Sequence, residues 1–304
     1  MAAREGLLVV NLASGQGRAR RNAGRVAGWL REFGLPVEVV ATGSREEALA
    51  IGQRAAREDS WERVVVCGGD GTVSSVLSGL AGSPVPLALV PAGTANCLAR
   101  ELRLPLSLRE ACRVAATGVS RQIDIGVAND QPFALMASVG FDAEVVHRIG
   151  PQMKDLLGAF GYVVTGLRVL AEYRPSPMTL VMPEGSAEVS AWVVVVSNAA
   201  TYALYWQLTP EASIDDGWLD VCVFAATDLA GSLSQLAGAL AGTHRQHPQV
   251  RYLRTRQVRI EADPPVSVQL DGDPAGFTPV EISIRPGALT VIVPPPGKEP
   301  LASP

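Results

Sequence analysis

The chain has 304 residues, of which 47% are hydrophobic, and a formal net charge of −4 at pH 7. A chain of this length and composition buries a large core and typically forms two globular domains. Its 26 Lys and Arg residues are scattered along the sequence, which argues against nucleic acid as a partner, because binding to a phosphate backbone needs a basic surface.

From Gly6 to about Asp124, short β-rich runs alternate with helical patterns. The strand candidates are GLLVVN, VEVVAT, RVVVC and PLALVP, and the helical patterns that follow them cover residues 18–31, 45–57, 73–80 and 95–102. Such alternation is typical of a parallel sheet with helices on its faces. We therefore predict an N-terminal, three-layer α/β domain over residues 1–125.

After Asp124, strand patterns dominate. The candidates cover residues 133–139, 178–182, 191–197, 219–224, 257–262, 266–270, 280–284 and 289–293, with helical patterns at 154–173 and 229–243. This pattern predicts a mostly antiparallel β domain over residues 126–294, whose last strand near 289–294 could return to the first domain. The proline-rich tail, residues 295–304, is predicted to be disordered.

Three glycine-rich loops of the first domain fall where a strand ends and a helix begins. They are NLASGQG at 11–17, GGDGT at 68–72 and PAGTAN at 91–96. In an open parallel sheet, ligands bind at the carboxyl ends of the strands, and helix N-termini there offer N–H groups to anions. Because glycine also lets a phosphate come close to the backbone, the three loops together predict a polyphosphate site.

The common nucleotide-binding signatures are absent from these loops. The sequence has no GxxxxGK[ST], and in GQGRAR, Arg20 stands where the dinucleotide fingerprint needs its third glycine. Asp70, in GGDGT, is then unusual, since a carboxylate beside phosphates implies either Mg²⁺ between them or a hydrogen bond to a sugar hydroxyl. On these residues alone, a turn-forming or helix-capping role for Asp70 is equally well supported.

The cysteines and the apolar segments predict in which cellular compartment the protein is located. Cys67, Cys97, Cys112 and Cys222 lack metal-ligand spacing and indicate reduced thiols of a cytoplasmic protein. The short apolar run at the N-terminus is better explained by a strand than by a signal peptide. Segment 154–173 is too short between its charges to span a bilayer; we expect a packed helix there, with peripheral contact to the inner face of the membrane as the alternative.

Five segments occur in an order and at a spacing that resemble a known family. They are GGDGT, PAGTANCLAREL, GFDAEVV, IDDGWLDVCVF and LDGDP…IRPGALTVIVP. From about Leu7 to Pro294, the chain resembles the bacterial YegS-like lipid kinases of the diacylglycerol kinase catalytic-domain family, which includes sphingosine kinases and is distantly similar to NAD kinases and phosphofructokinases. The resemblance implies an ATP-binding α/β domain followed by a β-sandwich domain that takes the lipid substrate.

The resemblance also implies roles for single residues. ATP would be held by Asn11, Ser14, Gly15, Thr42, Gly68, Gly69, Asp70, Gly71, Thr72 and Thr94. Mg²⁺, which favours oxygen ligands, would be bound by the carboxylate of Asp216 and the main-chain carbonyls of Ser213 and Trp218. Asp273, the third residue of DGD, would be the catalytic base, while Asp70 would position the phosphates. Without the other segments, LDGDP would be interpreted as a β-turn.

The chain departs from the family pattern at several of these motifs. Ser74 and Ser75 stand where Asn and Glu are usual, Cys97 stands where many relatives have Asp, and Asp273 replaces the usual Glu. The leading prediction is ATP- and Mg²⁺-dependent transfer of the γ-phosphate to a hydroxyl of a diacylglycerol-like lipid. The alternatives are a soluble-substrate kinase of the NAD kinase superfamily and, because of these departures, a catalytically weak nucleotide- or lipid-binding protein.

Overall fold

The computed structural model describes residues 5–12, 14–58, 60–149, 165, 166, 168–170, 172–201, 207–226 and 228–297. The described chain forms two compact units. The first comprises the residues up to Ile125 together with those from Pro286 onward, and the second comprises Gly126–Arg285. The first unit is built on parallel strands and the second on antiparallel strands, so the predicted fold class is confirmed.

A parallel sheet forms the centre of the first unit. Its strands are β1 (Glu5–Asn11), β2 (Val37–Thr42), β3 (Trp61–Gly68) and β4 (Leu87–Pro91), in the order β2-β1-β3-β4. The end of a later strand, β15, lies parallel beside β4, where Val291 pairs with Leu87. β1, β3 and β4 contain continuous buried apolar runs because helices cover both faces of the sheet, whereas β2, at the end of the strand order, is largely exposed.

Four helices cover this sheet. α1 (Ser14–Glu32) and α5 (Leu108–Thr117) pack on the face that carries Leu8, Val10 and Val65. α2 (Arg45–Arg57) and α3 (Asp70–Leu80) pack against each other and on β1 and β3. The short α4 (Cys97–Glu101) follows β4. The sequence pattern missed α5 and began α3 three residues late, because GGDGT is typical of a loop although its last three residues are helical.

Helices α2 and α3 approach each other at two glycines. A Cβ on Gly79 would lie 2.6 Å from the backbone nitrogen of Gln53 and 2.7 Å from the carbonyl oxygen of Leu49. A Cβ on Gly52 would lie 2.5 Å from the carbonyl oxygen of Val76. No side chain fits at either position. The contact therefore fixes the two helices, and with them the loops that precede their N-termini.

The second unit is built mainly on antiparallel strands. Its strands are β5 (Val119–Ala128, entering from the first unit), β6 (Gln131–Phe133), β7 (Met136–Gly140), β8 (Ser176–Met182), β9 (Gly185–Ser197), β10 (Leu219–Ala225), β11 (Val250–Thr255), β12 (Gln257–Ala262), β13 (Ser267–Leu270), β14 (Asp273–Phe277) and β15 (Val280–Val293). The long β9 pairs with β8 along its first half and with both β7 and β10 along its second. Alternate residues such as Val194, Val221 and Val268 point into one apolar core.

The structure corrects several predicted strands. The predicted strand 133–139 is two strands, β6 and β7, because residues 134 and 135 leave the ladder and donate their N–H groups to the Asp271 carboxylate. The predicted strands 280–284 and 289–293 are the two ends of β15. The sequence pattern missed β5, which runs through the predicted domain boundary at residue 125, as well as β11 and β14.

The helices of the second unit are partly outside the described residues. α6 is described over residues 141–149, and α7 (Leu229–Leu240) ends three residues before its predicted end. Of the predicted helix 154–173, residues 165, 166, 168–170 and 172 are described and helical. None of the helices in the described ranges is both long and apolar enough to cross a bilayer.

The cysteines are free thiols. Cys67, Cys112 and Cys222 are buried, and Cys97 is half-buried. Burial raises the pKa of the three buried thiols to about 12. Since the thiolate is the reactive form, these three side chains act as small apolar core residues.

Substitution of Gly79 by Ala tests the helix contact. We expect Gly79→Ala to lower the free energy of unfolding by about 1–3 kcal/mol, because the added methyl group overpacks the contact with α2. The matched control is Gly28→Ala in α1, where a Cβ would meet nothing within 4 Å. That change should raise stability by up to about 1 kcal/mol through helix propensity alone. Urea unfolding of the three proteins measures both effects, and equal stability of the two variants would contradict the contact.

Candidate functional site

The carboxyl ends of the four parallel strands lie along one edge of the first unit. Asn11, Thr42, Gly68 and Pro91 are the last residues of β1, β2, β3 and β4. Asn11 is in register with Thr42, and Gly68 is in register with Pro91. The sheet thus brings the three glycine-rich loops to the same edge, where ligands of open parallel sheets bind.

Side chains at this edge hold the first two loops together. The Asn11 amide donates from Nδ2 to Thr72 Oγ1 at 2.8 Å, so the end of β1 is tied to the first turn of α3. Thr42, which is 1% exposed, donates from Oγ1 to the carbonyl oxygen of Ser44 at 2.8 Å. Ser44 in turn caps α2 by accepting the N–H of Glu47 at 3.2 Å. These bonds give the edge a fixed shape before any ligand binds.

Asp70 connects the second loop to the third. Its Oδ2 accepts the backbone N–H of Asn96 at 2.8 Å, and its Oδ1 accepts the backbone N–H of Cys97 at 2.6 Å. The carboxylate therefore caps α4, whose first residue lies 27 residues further along the chain. Its own helix, α3, begins after Gly69, which offers no side-chain cap. Hydrogen bonds from N–H groups to a carboxylate are among the stronger kinds, so Asp70 has a bridging role that neither sequence interpretation contained.

The same two loops touch backbone to backbone. A Cβ on Gly93 would lie only 2.5 Å from the Cα of Gly69, so a glycine is required there. Asn96 accepts the N–H of Gly93 at 2.9 Å and adopts a left-handed φ of 52°. Sequence reasoning missed Asn96 as a site residue, although an Asn directly before a helix after a glycine turn is a usable signal, since Asn tolerates this conformation.

Arg45 is a second residue that the sequence analysis missed. A Cβ on Gly71 would lie 2.9 Å from Arg45 Nη2, so the guanidinium group covers the glycine of GGDGT. Arg45 is the first residue of α2 and is exposed. This contact puts a positive charge at the loop predicted to hold phosphates. No sequence signal identifies it, because the two residues meet only through the packing of α2 on α3.

The other residues predicted to bind the nucleotide are Ser14, Gly15 and Thr94, and the structure describes them only in part. Ser14 and Gly15 lie in the second half of the predicted first loop, which is already helical because α1 begins at Ser14. The Ser14 side chain lies outside the described part of the structure. Thr94 is exposed in the loop between β4 and α4. The structure thus places Asn11, Thr42, the 68–72 loop and Thr94 at the same edge, with Asn96 and Arg45 added.

The predicted metal loop lies in the second unit, just before β10. Asp216 Oδ1 accepts the backbone N–H of Trp218 at 3.0 Å, and Oδ2 accepts a hydrogen bond from Arg254. The carbonyl oxygen of Ser213 accepts a hydrogen bond from the backbone N–H of Asp216 at 3.4 Å. Arg254 also lies over the Trp218 ring, with 5.5 Å from Cζ to the ring centroid. The three predicted ligands therefore form one turn, with the carboxylate partly neutralised by Arg254.

Asp220, the second residue of β10, adds a second carboxylate beside this loop. Its Oδ2 is buried, lies 3.8 Å from Arg254 Nε and accepts no hydrogen bond from any described residue. Burial raises the pKa of Asp220, while Arg254 opposes the rise. Within the described ranges, no group of three or more His, Cys, Asp or Glu side chains is arranged to hold a metal. The loop instead offers carboxylate and carbonyl oxygens and one unsatisfied buried oxygen, which fits Mg²⁺ in donor chemistry.

Asp273 begins β14 immediately after a tight turn. Leu270 pairs with Asp273, and the two residues between them, Asp271 and Gly272, have positive φ of 47° and 82°. This is the type I′ hairpin geometry that Asp-Gly favours. The β-turn interpretation of LDGDP is thus correct for the backbone, and it leaves Asp273, which is half-buried, as the first residue beyond the turn.

The hairpin that carries Asp273 is held firmly. The Asp271 carboxylate accepts the backbone N–H groups of Ala134, Leu135 and Met136 at 2.7–3.0 Å. Burial raises the pKa of Asp271 to about 6; the three N–H donors lower it, and the Asp273 charge adds to the rise. The Gly272 N–H is bound by Gln269 Oε1 at 2.7 Å. A carboxylate on such a support is pre-positioned for chemistry.

Each half of the chain matches a known protein family domain. Residues 5–128 match the diacylglycerol kinase catalytic domain, and residues 136–293 match the YegS C-terminal NAD kinase beta sandwich-like domain. A diacylglycerol kinase of Mycobacterium tuberculosis is 32% identical over 294 residues, covering 94% of each chain. A diacylglycerol kinase of Bacillus subtilis is 26% identical over 280 residues, covering 90% of this chain and 91% of the relative.

Solved structures share the fold. The crystal structure of a diacylglycerol kinase from Bacillus anthracis aligns with a TM-score of 0.75 at 22% identity, covering 97% of this chain and 98% of the other. Another crystal structure from the same organism aligns with a TM-score of 0.82 at 24% identity, covering 96% of each chain. At this level of identity, the likeness concerns the fold of the whole chain.

Replacement of Asp70 by Asn tests the bridge between the loops. An amide presents one acceptor and one donor to two N–H groups, so one hydrogen bond is lost and a donor faces a donor. We expect Asp70→Asn to lower the free energy of unfolding by about 1.5–3 kcal/mol and to speed amide exchange at Asn96 and Cys97. The control is Asp130→Asn, at an exposed turn position with φ of 67° that Asn tolerates equally well. Unchanged stability and exchange in Asp70→Asn would show that the bridge contributes nothing.

Proposed function

Because the chain belongs to the diacylglycerol kinase catalytic-domain family, whose members are alcohol-acceptor phosphotransferases, we propose that it transfers the γ-phosphate of ATP to a hydroxyl group of a diacylglycerol-like lipid. The bridged edge of the first unit carries this proposal. Asn11, Thr42, the 68–72 loop and the Asp70 contact to α4 form a rigid, glycine-lined edge at the strand ends. Backbone N–H groups at such an edge suit a polyphosphate.

The charges at this edge also favour phosphates. Both oxygens of Asp70 accept hydrogen bonds from backbone N–H groups, so its negative charge is compensated within the protein. The Arg45 guanidinium over Gly71 adds a positive charge at the same loop. Phosphoryl transfer depends mainly on positioning and on stabilising the charge of the phosphates, and the bridged loops and Arg45 support the proposal in both respects.

Asp273 is the proposed general base. Its carboxylate would accept the proton of the lipid hydroxyl as that oxygen attacks the phosphorus, and the Asp271-Gly272 turn holds it in position. The metal, when bound, neutralises the phosphate oxygens. Asp216 would hold it through its carboxylate, with the main-chain carbonyls of Ser213 and Trp218. Arg254, which contacts the Asp216 carboxylate, orients that side chain.

Transfer of labelled phosphate from ATP to a panel of lipids tests the proposal. We expect label in a diacylglycerol-type lipid with the wild type, and a loss of about 10²-fold or more in Asp273→Asn, because general base catalysis contributes that much. ATP affinity should change little in this variant. Asp130→Asn, the exposed turn aspartate of the same unit, is the matched control and should retain full activity.

The result of this assay also separates the alternatives. Label in NAD or another soluble acceptor, and in no lipid, would favour a soluble-substrate kinase. ATP binding without transfer to any acceptor would favour a nucleotide-binding protein. A rate in Asp273→Asn equal to that of the wild type would exclude Asp273 as the base while leaving the kinase activity intact.

Arg45 gives an independent test of the nucleotide site. We expect Arg45→Gln to raise the KM for ATP about tenfold or more, because a hydrogen bond to a charged phosphate is worth about 1.5–3 kcal/mol, with a smaller effect in Arg45→Lys. The control is Arg54→Gln, in the last turn of the same helix, where the side chain is half exposed and pairs with Glu58 at the surface. An equal KM in Arg45→Gln and Arg54→Gln would remove Arg45 from the site.

A further inference from the structure

Helix α7 has an unusual distribution of polar residues. Its inward face carries Ser232, which is 3% exposed, and Gln235, which is fully buried. Its outward face carries Leu233 and Leu240, which are 46% and 51% exposed. A surface helix of a globular protein normally shows the opposite arrangement, with apolar residues inside and polar residues outside. The outward leucines therefore need an explanation that packing within the unit does not give.

The inward polar groups are fully used in holding the helix. The Gln235 amide accepts the indole N–H of Trp192 at 2.7 Å and donates to the carbonyl oxygen of Ala225 at 2.6 Å. Ser232 donates to the carbonyl oxygen of Asp228 at 3.1 Å, and Asp228 caps the helix by accepting the N–H of Gly231 at 2.7 Å. The orientation of α7 is thus fixed by hydrogen bonds, and the leucines cannot turn inward without breaking them.

The outward face is continuous and uncharged. From residue 229 to residue 243 the sequence LAGSLSQLAGALAGT contains no charged side chain. Over residues 230–241, where the side chains are described, the exposed residues lie within one arc of about 120° at the helical period of 3.6 residues per turn. They are Ala230, Leu233, Ser234, Ala237, Leu240 and Ala241. By contrast, the exposed surfaces of α2 and α5 carry charged residues such as Glu46, Arg54 and Arg113.

We propose that this outward face of α7 docks on a lipid bilayer, with Leu233 and Leu240 inserted into the interfacial region. The inference rests on the proposed lipid substrate, which requires the enzyme to meet a bilayer. An uncharged helix face that inserts two leucines loses no hydrated charge on insertion. A second copy of the chain fits the patch less well, because its apolar area is on the order of 200 Å², whereas each partner of a stable dimer buries about 800 Å².

The lack of charge on this face predicts which vesicles the protein binds and how binding depends on salt. Since the patch has no charge of its own, binding should occur on neutral phosphatidylcholine vesicles and should persist at high salt, which screens only electrostatic attraction. Loss of both leucines should reduce the fraction of protein bound by about tenfold or more, from the apolar area withdrawn from water.

Flotation of the full chain with phosphatidylcholine vesicles tests the proposal. The variant is Leu233→Gln/Leu240→Gln, and the control is Leu106→Gln, an exposed leucine of the first unit with 42% exposure. We expect the double variant to lose vesicle binding and the control to keep it, with unchanged thermal unfolding in both. Equal flotation of the double variant and the wild type, or no flotation of the wild type, would overturn the proposal. So would binding that needs anionic lipid and disappears at high salt.

Two further measurements separate this inference from the proposed function and from self-association. With lipid presented in detergent micelles, the double variant should phosphorylate as well as the wild type, because no bilayer has to be reached. Vesicle binding that depends on the leucines, without lipid phosphorylation by any protein, would support the docking face and contradict the proposed function. A dimer in sedimentation experiments that the double variant abolishes would assign the face to a second copy and overturn the proposal.

Discussion

The two hydrogen bonds that the Asp70 carboxylate accepts determine the geometry of the first unit's strand-end edge. They join the loop after β3 to the start of α4, while the close contact of Gly93 with Gly69 leaves no space between the two loops. Asn11 then ties the end of β1 to Thr72. A phosphate-binding edge assembled from separate loops needs such internal bonds, because each loop alone would pay a large conformational entropy to adopt its bound shape.

Carboxylates that accept backbone N–H groups recur at the predicted functional positions. Asp271 fixes the hairpin that carries Asp273 by accepting the N–H groups of residues 134–136. Asp216 accepts the N–H of Trp218 within the predicted metal loop. In each case main-chain N–H groups compensate the negative charge, and at Asp216 the Arg254 side chain adds to this. Loops held in this way keep their shape while neighbouring side chains vary.

Two departures from the family pattern are accommodated in different ways. Cys97 meets Asp70 through its backbone N–H, so the bridge does not depend on which side chain stands at that position. Ser75 donates to the carbonyl oxygen of Gly71 at 3.0 Å, which keeps its hydroxyl bonded within α3. The replacement of Glu by Asp at position 273 is different, since a side chain one methylene shorter changes the reach of the proposed base and nothing in the hairpin compensates for it.

The sequence by itself determined the fold class, the alternation of strands and helices in the first unit, the Asp-Gly turn, and the loops that gather at one edge. The hydrophobic period of a segment and the positions of its glycines are local properties, and the alternation of strands with helices implies a parallel sheet, so these features can be predicted from the chain. Only the tertiary structure decided that Asp70 bonds to a distant helix, that Arg45 covers Gly71, and that α7 turns its leucines outward. These three features depend on which surfaces meet after packing, and residues far apart in sequence meet there without a signal in either segment.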